Sequence, residues 1–404
     1  MLKTILIKDV RMGMYIHELK GAWIDHPFWR THFVLKDPAD LQKLQESPVR
    51  EVVIDVSEGL DVAAESEVPS EEHIAPGDET CQRQAPASKA KQVTFEEEKA
   101  RAARIIASSR HEIESMFSDL RMGKAISVNS VLPIVEEISA SVTRNMHALV
   151  SLVRLKTIDD CTYMHSIAVC ALMTALARAL ELSETEVKQA ALAGLMHDVG
   201  KAGIPLEILN KPGPLTEQEF KVVRHHPKLG YDMLLQADIT DPMTLDVCLH
   251  HHEKMDGSGY PEKLTTDHIS LFAKMGAVCD VYDAVTSTRP YKHAWEPGIA
   301  LRRMASWEGH FDMEIFKAFV KSLGIYPVGT VVILKSGLLA VVVRQTPGSL
   351  LKPVVKAFFS TKSKLYVPVI EMDLSKGMDE IVGNESAETW GIGSVDHLWA
   401  TSTV

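Results

Sequence analysis

Between residues 165 and 280 the sequence repeatedly sets imidazoles and carboxylates into stretches that otherwise read as buried helix. His165 falls in an apolar helical run, and His197-Asp198 closes the run Glu186 to Met196, with Gly200 and Gly203 just beyond. His226 sits in Arg224-His225-His226-Pro227, and His251-His252 end the helical pattern that begins at Met243. Asp280 lies mid-helix in Ala277-Val278-Cys279-Asp280-Val281-Tyr282-Asp283-Ala284. An aspartate buried in that setting costs several kcal/mol unless it meets a partner or a cation. Five imidazoles and two carboxylates are enough for two octahedral cations once water and substrate oxygens fill the remaining positions. A single His-Asp pair is more often a polar helix end than a ligand set; repeating that explanation across the whole group is much harder. His225 and His250, beside the candidates, are read as ordinary satisfied histidines, and Asp283 as support for a histidine or a bound water, or as a hydrogen bond within its helix.

The 404 residues predict two or three domains. Forty-three Lys+Arg against 54 Asp+Glu give a net charge of −11, which argues against a nucleic acid polymer or an anionic membrane as partner. Any anionic ligand has to be captured locally. Five scattered cysteines (Cys81, Cys161, Cys170, Cys248, Cys279) form no CxxC pair and read as reduced thiols, so the cytoplasm is the expected location. Lysines interrupt the first eight residues, and the best apolar run, Ser166 to Ala177, stops at Arg178, short of the ~18 residues a span needs. No membrane insertion is expected.

The pattern predicts a mainly α protein with a small N-terminal α+β domain and a small C-terminal β extension. Residues 1–60 carry strand-like runs at Ile5–Ile7, His32–Leu35 and Val52–Val56 around a short helix from Pro38 to Gln45. Residues 61–92 read as an acidic flexible linker: from Ser57 to Ala90 eight acidic residues face only Arg83 and Lys89, too little apolar surface to offset chain entropy. Residues 93–326 read as helical, with Glu96–Met116 and Asn129–Leu155 as the first long runs. From 327 to 404 the period changes to two, giving strands at Thr330–Leu334, Leu338–Val343, Lys352–Phe358 and Leu365–Val369.

His197-Asp198-x-Gly200-Lys201, then Gly203-Ile204-Pro205, Lys211-Pro212-Gly213, His251-His252-Glu253-x-x-Asp256-Gly257-Ser258-Gly259-Tyr260-Pro261 and Thr286-x-x-Arg289-Pro290-Tyr291-Lys292, resembles the HD-GYP family. These are metal phosphohydrolases with an HD-type helical bundle that act on the bacterial second messenger cyclic di-GMP. The resemblance spans roughly Ser127 to Gly324, and both flanking regions resemble those attached to one branch of the family. It implies that His165, His197, Asp198 and Asp280 hold one metal, and that Asp198 bridges to a second held by His226, His251 and His252. Some members hold a third ion through a glutamate four residues before the first histidine. Here that position is Cys161, read as a small apolar filler, so two metals are expected. Iron is the expected metal, manganese the alternative, and zinc is less favoured.

The resemblance implies hydrolysis of cyclic di-GMP to linear pGpG by a hydroxide bridging the two metal ions, with further cleavage to GMP left open. It places Lys201 beside the scissile phosphate and Arg289 and Lys292 at the second phosphate or a guanine. Tyr260 is expected to stack on or hydrogen-bond to the ligand, with Gly257 and Gly259 permitting its turn. The Gly-Tyr-Pro loop is equally a rigid structural loop or a docking surface for signalling proteins, and a homodimer is left open. Two other readings stand beside this one: a metal-bearing cyclic di-GMP receptor with little turnover, and an HD phosphohydrolase for mononucleotides or alarmones.

Overall fold

The computed structural model describes residues 2–19, 33–35, 38–46, 50–60, 93–124, 128–155, 161–287, 294–346 and 348–400. The expected linker 61–92, with Cys81, lies outside them, as do Arg289 and Lys292. The chain divides into two units, Met1–Ser88 and Lys89–Val404.

In the first unit, β1 (Leu2–Leu6), β2 (Tyr15–Leu19), β3 (Phe33–Val34) and β4 (Glu51–Asp55) form an antiparallel sheet in the order β1-β4-β2-β3, with α1 (Pro38–Glu46) between β3 and β4 in sequence. Ile5, Met14, Ile16, Leu35, Leu44, Val52 and Ile54 make its core. The sequence reading does not anticipate β2, whose tyrosine, histidine and glutamate blur the alternation.

The second unit opens with helices α2 (Phe95–Arg121), α3 (Val128–Leu152), α4 (Cys161–Ala179), α5 (Glu184–Met196), α6 (Leu206–Leu209) and α7 (Glu217–Val223). It continues through α8 (His226–Gln236), α9 (Pro242–His250), α10 (Leu271–Thr286), α11 (Pro297–Ala305) and α12 (Met313–Leu323). Their starts follow local chemistry: Thr94 with Glu97, Ser183 with Glu186 and Thr216 with Glu219 form reciprocal capping boxes, while Asp241, Ser270 and Asp312 accept backbone N–H bonds. The long run expected to end at Leu155 is broken at Asn145, which leaves helical φ/ψ; its side chain donates to Val93 O and accepts from His147 N. The apolar run Ser166 to Ala177 is the buried middle of α4, which packs against α3, α5, α10 and α12. That surrounding explains a helix apolar on every side without a membrane. Among the described residues no helix is long and apolar enough to cross one.

The chain closes with β5 (Val331–Leu334), β6 (Leu338–Thr346), β7 (Ser349–Ser360), β8 (Leu365–Asp373) and β9 (Ile381–Asn384), an antiparallel sheet ordered β8-β7-β6-β5-β9. The protein is mainly α, with a small sheet at each end of the sequence. Three tethers join the last sheet and its tail to the helices. Arg154 Nη1 donates to Val328 O at 2.8 Å, its guanidinium lies over the Trp399 ring, and buried Lys99 donates to Trp399 O at 3.1 Å. At its other end α2 uses Arg121 to donate to Lys201 O and Ile204 O.

Candidate metal centre

Five elements converge on one buried cluster. His165 comes from the first half of α4, His197 caps α5, and Asp198 follows it into the tight turn Val199–Gly203. His226 opens α8, His251 caps α9 with His252 after it, and Asp280 comes from the middle of α10. The turn after Asp198 must approach α8 closely: a Cβ on Gly200 would fall 1.9 Å from His226 O and 2.4 Å from Gly230 N. Any larger residue there would push Asp198 and His226 apart.

The ring orientations are set from behind. His165 Nδ1 meets Asp283 Oδ2 at 2.7 Å, while His197, His226 and His251 direct Nδ1 at the carbonyls of Gly194, Val223 and Val247, at 2.8, 2.7 and 3.0 Å. At His197, His226 and His251, Nδ1–H donation to a carbonyl leaves Nε2 as the forward-facing acceptor. The forward nitrogens crowd together, His165 Nε2 3.2 Å from His197 Nε2 and His226 Nε2 3.3 Å from His251 Nε2.

Asp198 lies between these two pairs and is fully buried. Its Oδ2 is 3.3 and 3.4 Å from the Nε2 atoms of His165 and His197, and its Oδ1 is 3.1 and 3.8 Å from those of His226 and His251. Asp280 spans the cluster too, with Oδ1 2.9 Å from His165 Nε2 and Oδ2 3.6 Å from His252 Nδ1. The donor atoms fall into three groups of metal-binding size: His165, His197 and Asp280; His226, His251 and His252; and His197, Asp198 and His251 linking them. Lys201 pairs with Asp198 Oδ2.

The protonation states suit a cation. Burial alone would raise the Asp198 and Asp280 carboxyls, but Lys201 and His197 beside the first and the hydrogen bond from His165 to the second hold both well below the usual range. Burial lowers His251 and His252, the latter to about 3, so both are neutral. At His165 burial works in the same direction, but Asp198, Asp280 and Asp283 outweigh it and lift the ring to about 9. Those carboxylates favour a positive charge at that point, which a proton or a metal can supply. Asp198 Oδ1 is buried without a hydrogen bond, although His226 Nε2 lies 3.1 Å away. An unsatisfied carboxylate oxygen facing imidazole nitrogens fits a divalent cation.

Of the neighbouring histidines, His225 donates to Lys221 O and His250 pairs with Asp246, outside the metal-binding groups. Tyr260 packs on His252, ring centres 4.7 Å apart, with Arg224 4.5 Å from its ring centre. Glu253, read from sequence only as part of a motif, is buried and accepts from the backbone N–H groups of Glu262, Lys263 and Leu264 at 2.7 to 3.0 Å. It ties down the loop that carries Gly257, at φ +74°, and the cis Tyr260-Pro261 bond. The side chain at Cys161 lies outside the described residues.

Comparison with known proteins agrees with this arrangement. A domain of unknown function, DUF3391, matches residues 2–131, and the HD domain matches residues 136–315. The chain is 52% identical over 402 residues to the cyclic di-GMP phosphodiesterase PA4108 of Pseudomonas aeruginosa, covering 99% of this chain and 96% of that one. It is 42% identical over 149 residues to the cyclic di-GMP phosphodiesterase response regulator RpfG of Xanthomonas campestris, 36% of this chain and 39% of that one. The 3'3'-cGAMP-specific phosphodiesterase 2 of Vibrio cholerae shares 34% identity over 148 residues, 36% of this chain and 28% of that one. With the His-Asp pair and the Gly-Tyr-Pro loop built around one divalent-metal cluster, this chain belongs to the HD-GYP family and carries an N-terminal DUF3391 domain.

Proposed function

We propose that this protein hydrolyses cyclic di-GMP to pGpG, with further cleavage to GMP left open. The proposed site is a pair of divalent cations held by His165, His197, Asp198 and Asp280 on one side and by Asp198, His226, His251 and His252 on the other. The observation that carries this reading is Asp198, whose two carboxylate oxygens face two different imidazole pairs and of which one lacks any hydrogen bond. When bound, such a pair supplies an activated water and neutralises charge on the phosphate. Asp198 then fixes the separation of the two halves, and Asp283 and the backbone carbonyls hold the imidazoles in register. Lys201, at the edge of the cluster on Asp198, offers a point charge to the phosphate undergoing substitution. Arg289 and Lys292 serve the second phosphate or a guanine, and Tyr260 borders the ligand.

Iron is the proposed metal and manganese the alternative; Cys161 in place of a glutamate supports two ions rather than three. The same reading places the enzyme in the cytoplasm, with residues 1–60 as a regulatory unit joined by the linker 61–92 to the catalytic region 93–326 and the extension 327–404. Within this reading, docking of signalling proteins on the Gly-Tyr-Pro loop stands beside its role as a rigid loop and a ligand contact, and a homodimer stays an open alternative. The receptor reading is less favoured because Lys201 and every proposed ligand are present. Anaerobically purified protein should contain about two iron or manganese ions per chain and convert cyclic di-GMP to pGpG faster than it cleaves 3'3'-cGAMP. A fully loaded sample that binds cyclic di-GMP and leaves it intact would establish the receptor instead.

A further inference from the structure

Arg224 follows α7 and precedes His226 by two residues, so the turn that delivers an imidazole to the cluster also delivers a guanidinium beside it. Its central carbon lies 4.5 Å from the centre of the Tyr260 ring and 5.8 Å from that of Phe220. Tyr260 in turn lies against His252, their planes 31° apart. His252, Tyr260 and Arg224 therefore form a continuous row beginning at a proposed metal ligand. Lys201 pairs with Asp198, Lys211 with Glu219 and Lys228 with Asp232. Among the described residues Arg224 has no such partner, and its contacts are the two aromatic rings. In a chain of net charge −11, a guanidinium free of carboxylates beside the cluster is the feature to explain.

Resting on the cyclic di-GMP reading, we propose that Arg224 binds the phosphate of the substrate that is not being cleaved. A cyclic dinucleotide carries two phosphodiesters. When one lies at the metal pair, the other needs its own cation, and the acidic surface supplies none at long range. The guanidinium fork matches two phosphate oxygens, and contact with the Tyr260 ring fixes its plane before the ligand arrives, which reduces the entropy lost on binding. Tyr260 then acts as a platform for Arg224 rather than for a base, and Arg289 and Lys292 are left to the guanine.

The test uses the metal-loaded full chain, its Arg224→Gln and Arg224→Lys variants, and two substrates: cyclic di-GMP and bis(p-nitrophenyl) phosphate, which has a single phosphate. Arg224→Gln should raise KM for cyclic di-GMP about ten-fold with little change in kcat, as expected for one lost charged hydrogen-bonding group. The ratio of kcat/KM for cyclic di-GMP to that for the small diester should fall by the same factor, and lysine, a point charge without the fork, should restore only part of the loss. An unchanged KM, or an equal loss on both substrates, would overturn the proposal. If the native chain leaves cyclic di-GMP intact, the proposed function fails on its own account. Arg224 is then judged by equilibrium binding of cyclic di-GMP, where equal affinity of the native and glutamine proteins would refute its role.

Discussion

The forward-facing nitrogens of the cluster depend on what stands behind them. Three of the four backing partners are backbone carbonyls, which leave no trace in a sequence; the fourth, Asp283, reads from sequence equally as support for a histidine, support for a bound water or a hydrogen bond within its helix. The seven proposed ligands were legible for the opposite reason, because imidazoles and carboxylates stand out in apolar helices. Arg224 was visible in its motif, yet its lack of a carboxylate partner emerges only in three dimensions. Asp283→Ala removes the carboxylate that orients His165, and metal affinity should fall about 10- to 100-fold. A chelator-competition titration measures this directly, and native-like affinity in the variant would show that His165 needs no such support.

Among the elements, the Gly-Tyr-Pro loop shows how a motif can be recognised before its mechanics are understood. The string His251-His252-Glu253 to Pro261 identified the loop, but the structure shows that Glu253 holds it through three backbone N–H groups. Glu253→Ala would leave those donors without their acceptor and should cost about 2 to 4 kcal/mol of stability. Urea unfolding of the two proteins checks this, with a difference under about 0.5 kcal/mol counting against it. Long helices were legible because apolar periodicity accumulates over many residues. Short strands were harder: β9 is four residues with a glycine, and β2 lacks clean alternation, so both went unread. The interruption at Asn145 was equally hidden, because its bonds to Val93 and His147 depend on how the chain folds back.

At the scale of the whole molecule, sequence sorted the chain into helical and β regions but could not show how the end of the 89–404 unit folds back onto its beginning. Glu296, just before α11, belongs to that junction: burial, with Asp396 and Glu388 nearby, lifts its carboxyl to about 7 against the opposing pull of Arg154 and the Val331 N–H. The folded protein thus holds a proton at Glu296 that the unfolded chain releases near the ordinary value of 4.5. This contribution to stability is complete below that value and is lost as pH rises through about 7. Glu296→Gln should therefore raise the unfolding free energy by about 1 to 3 kcal/mol at pH 8 and change it little at pH 4.5. Denaturant titrations at the two pH values test the sign, and an equal effect at both would refute it. The tethers of α2 carry a mechanical consequence. Lys99 grips the carbonyl of Trp399 and Arg121 grips those of Lys201 and Ile204, roughly 33 Å further along the helix at 1.5 Å per residue. A rod pinned at both ends converts axial thrust into displacement, so a load applied to the C-terminal tail is delivered to the lysine paired with Asp198.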